Sequence, residues 1–128
     1  MSVPSRAAWW LWKISIALVW LYQGLWHKVL SGDDRHRRII AEAVGERMTP
    51  TTCLALGLFE AGLAIAVLVE FRPRLTALIQ ISLLAVMNAA GLIFAWADIP
   101  DPIGMLTMNF AFALSIWLQG SLAASRKP

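Results

Sequence analysis

The chain has 128 residues, of which 59% are hydrophobic and 15% are charged, and its formal net charge is +3. This composition is far more apolar than that of a water-soluble domain. The basic residues stand at the ends of apolar stretches and in one loop, without interleaved aromatic residues, so we expect no nucleic-acid partner. With Cys53 as its single cysteine, the chain lacks the cysteine pair that a disulfide or thiol redox chemistry would need.

Apolar stretches of membrane-spanning length follow one another along the chain. A helix needs roughly 20 apolar residues to cross about 30 Å of hydrocarbon. The predicted spans cover about residues 9–30, 51–69, 75–96 and 102–124. The first is too long for the core of a signal peptide, so we expect it to be retained. The sequence therefore predicts an all-α integral membrane protein, a four-helix bundle that forms one four-span domain over residues 1–128.

The longest connection, residues 31–49, contains many charged residues and an apolar set at helical spacing. That set is Ile39, Ile40, Ala43 and Val44. The pattern predicts a surface amphipathic helix between spans 1 and 2, lying on the membrane and capped by Ser31 or an aspartate. We expect His36, in the same connection, to be solvated.

The distribution of basic residues sets the expected orientation. With four spans, six lysines and arginines fall on the side of the termini and five on the other side, where a longer loop mixes them with acids. The positive-inside rule then favours a multi-pass protein of the inner membrane with both termini in the cytoplasm. Tryptophans near the span ends, such as Trp9 and Trp96, are expected to anchor the helices at the two interfaces.

Polar residues recur at similar depths inside the predicted spans. Counting 1.5 Å per residue places Gln23, Glu60, Asn88 and Asn109 about 10 to 13 Å from the outer ends, and His27 at about 5 Å. One polar residue from every span therefore lies at nearly the same level, with His27 of the first span closer to the surface. At helical periodicity one sector of the first helix contains Trp20, Gln23, Gly24 and His27, and one sector of the second contains Cys53, Gly57, Glu60 and Ala64. The second sector consists mostly of small residues, which suits close helix approach.

The most informative member of the polar layer is Glu60. A carboxylate in hydrocarbon costs about 2.5 to 3.5 kcal/mol on insertion scales, so it should face the bundle interior, protonated or paired. Side chains tilt toward their helix N-terminus, so Glu60 and His27 lean toward each other. The candidate partners are His27, Lys28 and Gln23, with neutral hydrogen bonds from Asn88 and Asn109. Lys28 could instead snorkel outward, and the amides could serve only to hold helices together.

Two short runs resemble the DoxX-like membrane proteins. They are Tyr22-Gln23-Gly24-Leu25-Trp26-His27-Lys28-Val29-Leu30 and Gly57-Leu58-Phe59-Glu60-Ala61-Gly62-Leu63. The resemblance covers nearly the whole chain. It implies a four-helix bundle, cytoplasmic termini and a membrane redox context, which in this family includes a subunit of thiosulfate:quinone oxidoreductase. Relatives that use cysteine pairs differ from this chain, so thiol transfer is not expected.

These observations support three functional hypotheses. In the first, Glu60 and His27 bind a quinone-like or lipid-like headgroup in a pocket open to the outer leaflet and relay its protons. In the second, the chain is a proton-coupled small-molecule exporter, although small multidrug transporters have their glutamate in the first span. In the third, it is a non-catalytic subunit that anchors a partner enzyme through Trp117 and the third span.

Other properties are less constrained by the sequence. Whether the chain is an enzyme is open, and so is the choice between a homo-oligomer and a partner subunit. Membrane lipids are expected partners. With two histidines in the whole chain, we expect no metal or haem, and the one cofactor considered is a quinone.

Overall fold

The computed structural model describes residues 4–24 and 34–126. Within these ranges the fold is all-helical, as predicted, and contains no β-strand. The helices are α1 (Arg6–Leu21), α2 (Asp34–Val44), α3 (Thr49–Leu68), α4 (Pro73–Phe94) and α5 (Pro102–Arg126), with short 3₁₀ helices at Glu46–Met48 and Trp96–Asp98.

The structure contains three helices that are long and apolar enough to cross a membrane, counted over the described residues. They are Glu46–Leu68, which joins the first 3₁₀ turn to α3, then Pro73–Phe94 and Pro102–Arg126. They correspond to the second, third and fourth predicted spans. Helix α1 and the π-helical turn at residues 22–24 cover part of the first predicted span, and the remainder lies outside the described residues.

Proline and backbone geometry position the starts of the long helices. Pro50 and Pro73 lie in the first turns of α3 and α4, where proline's missing N–H removes no hydrogen bond and its fixed φ suits the helix. Between these helices Glu70 and Arg72 have φ values of 55° and 38°, in the left-handed region. The chain therefore reverses direction between Leu68 and Pro73.

The helices pack most closely as two antiparallel pairs, α1 with α3 and α4 with α5. Small residues permit this approach: a Cβ atom placed on Gly120 would lie 2.7 Å from Cβ of Ala77. The core between the pairs draws on all four helices and includes Ile16, Trp20, Leu63, Ala64, Ala77, Leu84 and Ile116. The two pairs thus form one bundle.

Large apolar side chains cover the outside of the bundle as well as its core. Leu11 is 68% exposed, Ile93 73% and Phe110 73%. Soluble monomers rarely expose apolar surface on this scale, whereas a lipid environment accommodates it. The surface therefore agrees with the membrane-spanning length of the helices.

Helix α2 packs across one end of the bundle. It contacts α3 and α4, and Ile40 is buried at 9% exposure. The loop helix that was predicted is present, and one of its apolar residues packs on protein. Its contact with the membrane surface remains a prediction, and the side chain of His36 lies outside the described part of the chain.

The beginning and the end of the described chain lie at the same end of the bundle. The guanidinium of Arg126 lies 4.4 Å from the ring centroid of Trp9. Antiparallel neighbours produce this arrangement, since α1 starts and α5 finishes on one side.

Candidate functional site

The site is centred on Glu60, whose side chain is completely buried at 0% exposure. Glu60 belongs to a stripe on α3 with Cys53, Gly57 and Ala64, all of them buried. These positions recur at helical spacing, and α1 is the helix that packs most closely on α3. The predicted sector of small residues around Glu60 is therefore a helix contact surface.

Gly24 brings α1 into direct contact with α3 beside Glu60. A Cβ atom placed on Gly24 would lie 2.7 Å from the carbonyl oxygen of Gly57, 2.9 Å from Glu60 Cβ and 3.3 Å from Glu60 Oε2. No residue other than glycine fits this gap without displacement. Gln23, half-buried, precedes Gly24 in the π-helical turn. The structure thus brings the Gln23-Gly24 pair of the first motif against the glutamate of the second.

Trp20, one turn before Gly24, hydrogen-bonds to a residue of α4. Its indole Nε1–H donates to Gln80 Oε1 at 2.8 Å, and Gln80 Nε2 donates to the Thr76 carbonyl at 3.2 Å. Trp20 and Gln80 are each 1% exposed. Gln80 is therefore a buried hydrogen-bonding link between the two helix pairs.

The two asparagines of the polar layer bind each other. Asn109 Nδ2 donates to Asn88 Oδ1 at 2.7 Å, which ties α5 to α4. Because Trp20 lies opposite Gln80 and α1 and α4 run in the same direction, Gly24 is level with about Leu84, the twelfth residue of α4. The asparagine pair is therefore about 6 Å further along the bundle, toward the connection between α4 and α5.

His27 and Lys28, the two cationic partners predicted for Glu60, lie outside the described residues. The described part of the site therefore consists of Glu60, Gly24, Gln23 and Gly57.

A second charged cluster lies at the opposite end of the α1–α3 interface. Lys13 Nζ is 2.9 Å from Glu70 Oε2, 3.1 Å from the Leu68 carbonyl and 3.8 Å from the ring centroid of Trp10. Trp9 Nε1 donates to the same Glu70 oxygen at 3.4 Å. Lys13 is only 2% exposed. The cluster therefore holds a buried ammonium against the end of α3.

The environment of Glu70 favours its charged form. Burial by itself raises the pKa of this carboxyl, but hydrogen bonds from Lys13 and Trp9 and the positive charges of Lys13 and Arg126 outweigh it. The net effect holds the pKa of Glu70 below its ordinary value of 4.5.

Sequence reasoning missed this ion pair because it treated Lys13 as a topology signal. One available signal was position: Lys13 interrupts the first apolar stretch, and Glu70 is the first charged residue after the second. In antiparallel helices those two positions meet at one end.

An open apolar groove of about 340 Å³ runs between α3 and α4. Its lining consists of Phe59, Leu78, Ile79, Ser82, Leu83 and Val86. Phe59 is the chain neighbour of Glu60, so the groove occupies the same turn of α3 on a different face. Its volume falls within the roughly 300–1,000 Å³ of small-molecule sites.

Comparison with known proteins identifies the family. The family model of the DoxX-like family matches residues 17–117, which include both motifs and the whole of the Glu60 site. Comparison with curated proteins and with solved structures gives no match. The match spans well over half of the chain, so this protein belongs to the DoxX-like family.

Proposed function

We propose that this DoxX-like membrane protein binds the polar headgroup of a quinone-like or lipid-like molecule at Glu60 and acts in membrane redox chemistry. The proposal includes four spans, an inner-membrane location and cytoplasmic termini. The observation that carries it is the complete burial of the Glu60 carboxyl within a helix long enough to span the membrane.

Interhelical adhesion alone does not account for a glutamate at this position. Neutral groups join helices elsewhere in the same bundle, through Trp20 with Gln80 and Asn88 with Asn109. Such a hydrogen bond contributes about 0.6 to 1.7 kcal/mol without placing an ionisable group in the membrane. An ionisable residue in a span is by default a candidate for proton or ligand chemistry. Glu60 therefore supports a role that an amide could not perform.

The surroundings of Glu60 suit a headgroup held by a few polar atoms. Gly24 and Gly57 keep the backbones of α1 and α3 in contact there, which fixes the carboxyl in position. In the proposal, Gln23, His27 and Lys28 supply further polar contacts from the first span. The neighbouring groove at Phe59 and Ser82 gives the apolar tail of the ligand a place on the bundle surface.

The test is the ligand content of the purified protein. Wild type, Glu60→Gln and the matched control Glu42→Gln, an exposed glutamate of α2, would be isolated in native lipid discs. Bound quinones and lipids would then be measured by mass spectrometry. We expect wild type and Glu42→Gln to retain a ligand that Glu60→Gln loses. Equal retention in all three would contradict the proposal.

A flux measurement separates this function from export. Proton-driven export predicts substrate uptake into proteoliposomes that depends on a pH gradient and on Glu60. Ligand binding in redox chemistry predicts no such dependence. Gradient-driven flux abolished by Glu60→Gln would assign the glutamate to transport instead.

A further inference from the structure

A polar cavity of about 410 Å³ lies at the end of the bundle where α2 meets the start of α3. Its lining consists of Arg37, Arg38, Ala41, Glu46, Thr49 and Pro50. Two arginines and one glutamate thus contribute to the lining of this open surface cavity, whose volume falls within the range of small-molecule sites. The cavity is separate from the Glu60 site, which lies deeper along α3.

The cavity lies at the depth of lipid headgroups. The membrane-length segment that joins the first 3₁₀ turn to α3 begins at Glu46, which is itself one of the lining residues. The exposed Trp96 lies in the α4–α5 connection, which α2 contacts, so it is at this end too. Tryptophan is enriched at the membrane–water interface. The cavity therefore opens where the hydrocarbon ends and the headgroup layer begins.

Arg38 makes a long ion pair within the described part of the chain. Its Nη1 lies 3.9 Å from Asp98 Oδ1, and its side chain is 62% exposed. A guanidinium has five N–H donors, and one long contact leaves most of them for another acceptor. Ile40 follows Arg37 and Arg38 on α2 and is buried, so it fixes the position of the helix that carries them.

The charges of the lining select the chemistry of a ligand. Arginine binds phosphate oxygens through two parallel N–H donors, which makes it the preferred residue for a phosphodiester. Glu46 on the same lining repels a purely anionic ligand and attracts a cation. A group that combines a phosphate with an amine matches both signs.

We propose that this cavity binds the headgroup of an aminophospholipid, with the phosphate at Arg37 and Arg38 and the amine at Glu46. The site is independent of the proposed function at Glu60. The ligand of the cavity is a lipid of the surrounding membrane. Its binding would hold the connection that contains α2 at the headgroup layer.

The test uses the full chain in detergent with added phosphatidylethanolamine or phosphatidylglycerol, followed by native mass spectrometry. Arg37→Gln and Arg38→Gln should each weaken phosphatidylethanolamine binding roughly tenfold, the factor expected for one lost charge-assisted hydrogen bond. Arg47→Gln is the matched control, because it removes the same charge from the same connection without lining the cavity. An equal loss in all three variants would overturn the site.

Two further arms identify the ligand. Glu46→Gln should weaken phosphatidylethanolamine binding and leave phosphatidylglycerol binding unchanged or stronger. If Glu46→Gln weakened the binding of both lipids equally, the assignment of the amine to Glu46 would be overturned. Inorganic phosphate alone should not displace the lipid at millimolar concentration, and full displacement would assign the cavity to soluble phosphate instead. The Glu60→Gln variant should bind phosphatidylethanolamine here like wild type, which separates this result from the fate of the proposed function.

Discussion

Gly24, in the π-helical turn that follows α1, lies so close to Glu60 of α3 that an added Cβ would be 2.9 Å from Glu60 Cβ. Real Cβ atoms essentially never approach that closely, so the two helices are spaced by the absence of a side chain at position 24. The same contact keeps the Glu60 carboxyl beside the backbone of α1. Helix spacing and the position of the ionisable group are therefore set by one pair of residues.

Substitution of Gly24 tests this spacing. Gly24→Ala should destabilise the protein by about 1 to 3 kcal/mol, the usual cost of forcing extra atoms into a packed contact. Gly62→Ala is the control, since a Cβ there meets nothing within 4 Å and alanine favours the helix. Thermal unfolding in detergent should give a lower Tm for Gly24→Ala and an unchanged or higher Tm for Gly62→Ala. Equal Tm values for the two variants would show that the contact does not set the spacing.

The Lys13–Glu70 pair should show strong coupling. Glu70→Gln removes the carboxylate 2.9 Å from a lysine that is 2% exposed, and we expect a loss of roughly 2 to 4 kcal/mol. Lys13→Met in the Glu70→Gln background should cost much less than Lys13→Met in wild type, because no charge is then left buried. Unfolding measurements on the two single variants and the double variant give the coupling. Additive losses would contradict an ion pair.

The same pair predicts how stability depends on pH. The pKa of Glu70 is lower in the folded protein than its ordinary value of 4.5, so its contribution is fully present above about pH 4.5. That contribution is lost as the pH falls from there through the folded pKa. We expect the Tm of wild type to fall in this acid range more steeply than that of Glu70→Gln. If the Tm of both proteins fell equally with pH, the Glu70 carboxylate would not be the cause of the acid destabilisation.

The Trp20–Gln80 bond should stabilise the junction between the helix pairs. Trp20→Phe removes the donor and leaves the buried Gln80 carbonyl oxygen without it, at a cost of about 1 to 3 kcal/mol in addition to lost packing. Gln80→Leu combined with Trp20→Phe should recover part of that loss, because both polar partners are then replaced. A double variant that is less stable than the sum of the single changes would count against the bond. The measurement is chemical or thermal unfolding in the same detergent.

Prediction from the sequence was most successful for properties that depend on single segments. Three of the four predicted spans correspond to helices of membrane-spanning length, and the loop helix is present. The family was recognised from the motifs around Gly24 and Glu60, and the family match confirms it. Each of these properties follows from apolar length or local residue order, which a linear pattern contains.

Prediction was less complete for partners across helices. Counting depths grouped Asn88 and Asn109 with Glu60, and helical periodicity grouped Trp20 with Gln23 and His27. The structure instead joins Trp20 to Gln80 and the asparagines to each other. Lys13 and Glu70 were not paired at all. Depth gives one coordinate of a side chain, but a contact also requires the rotation and axial register of two helices.

By itself, the sequence determined that this protein is helical, that its helices suit a membrane, and that a glutamate lies inside one of them. Apolar length and residue type decide those properties, since hydrocarbon excludes unpaired backbone and charge wherever the segment packs. Only the tertiary structure decided three contacts. Glu60 packs against Gly24, Gln80 accepts a hydrogen bond from Trp20, and Lys13 forms an ion pair with Glu70. Those contacts depend on how closely small residues let helices that are distant in sequence approach each other. The approach is determined only when the helices pack together.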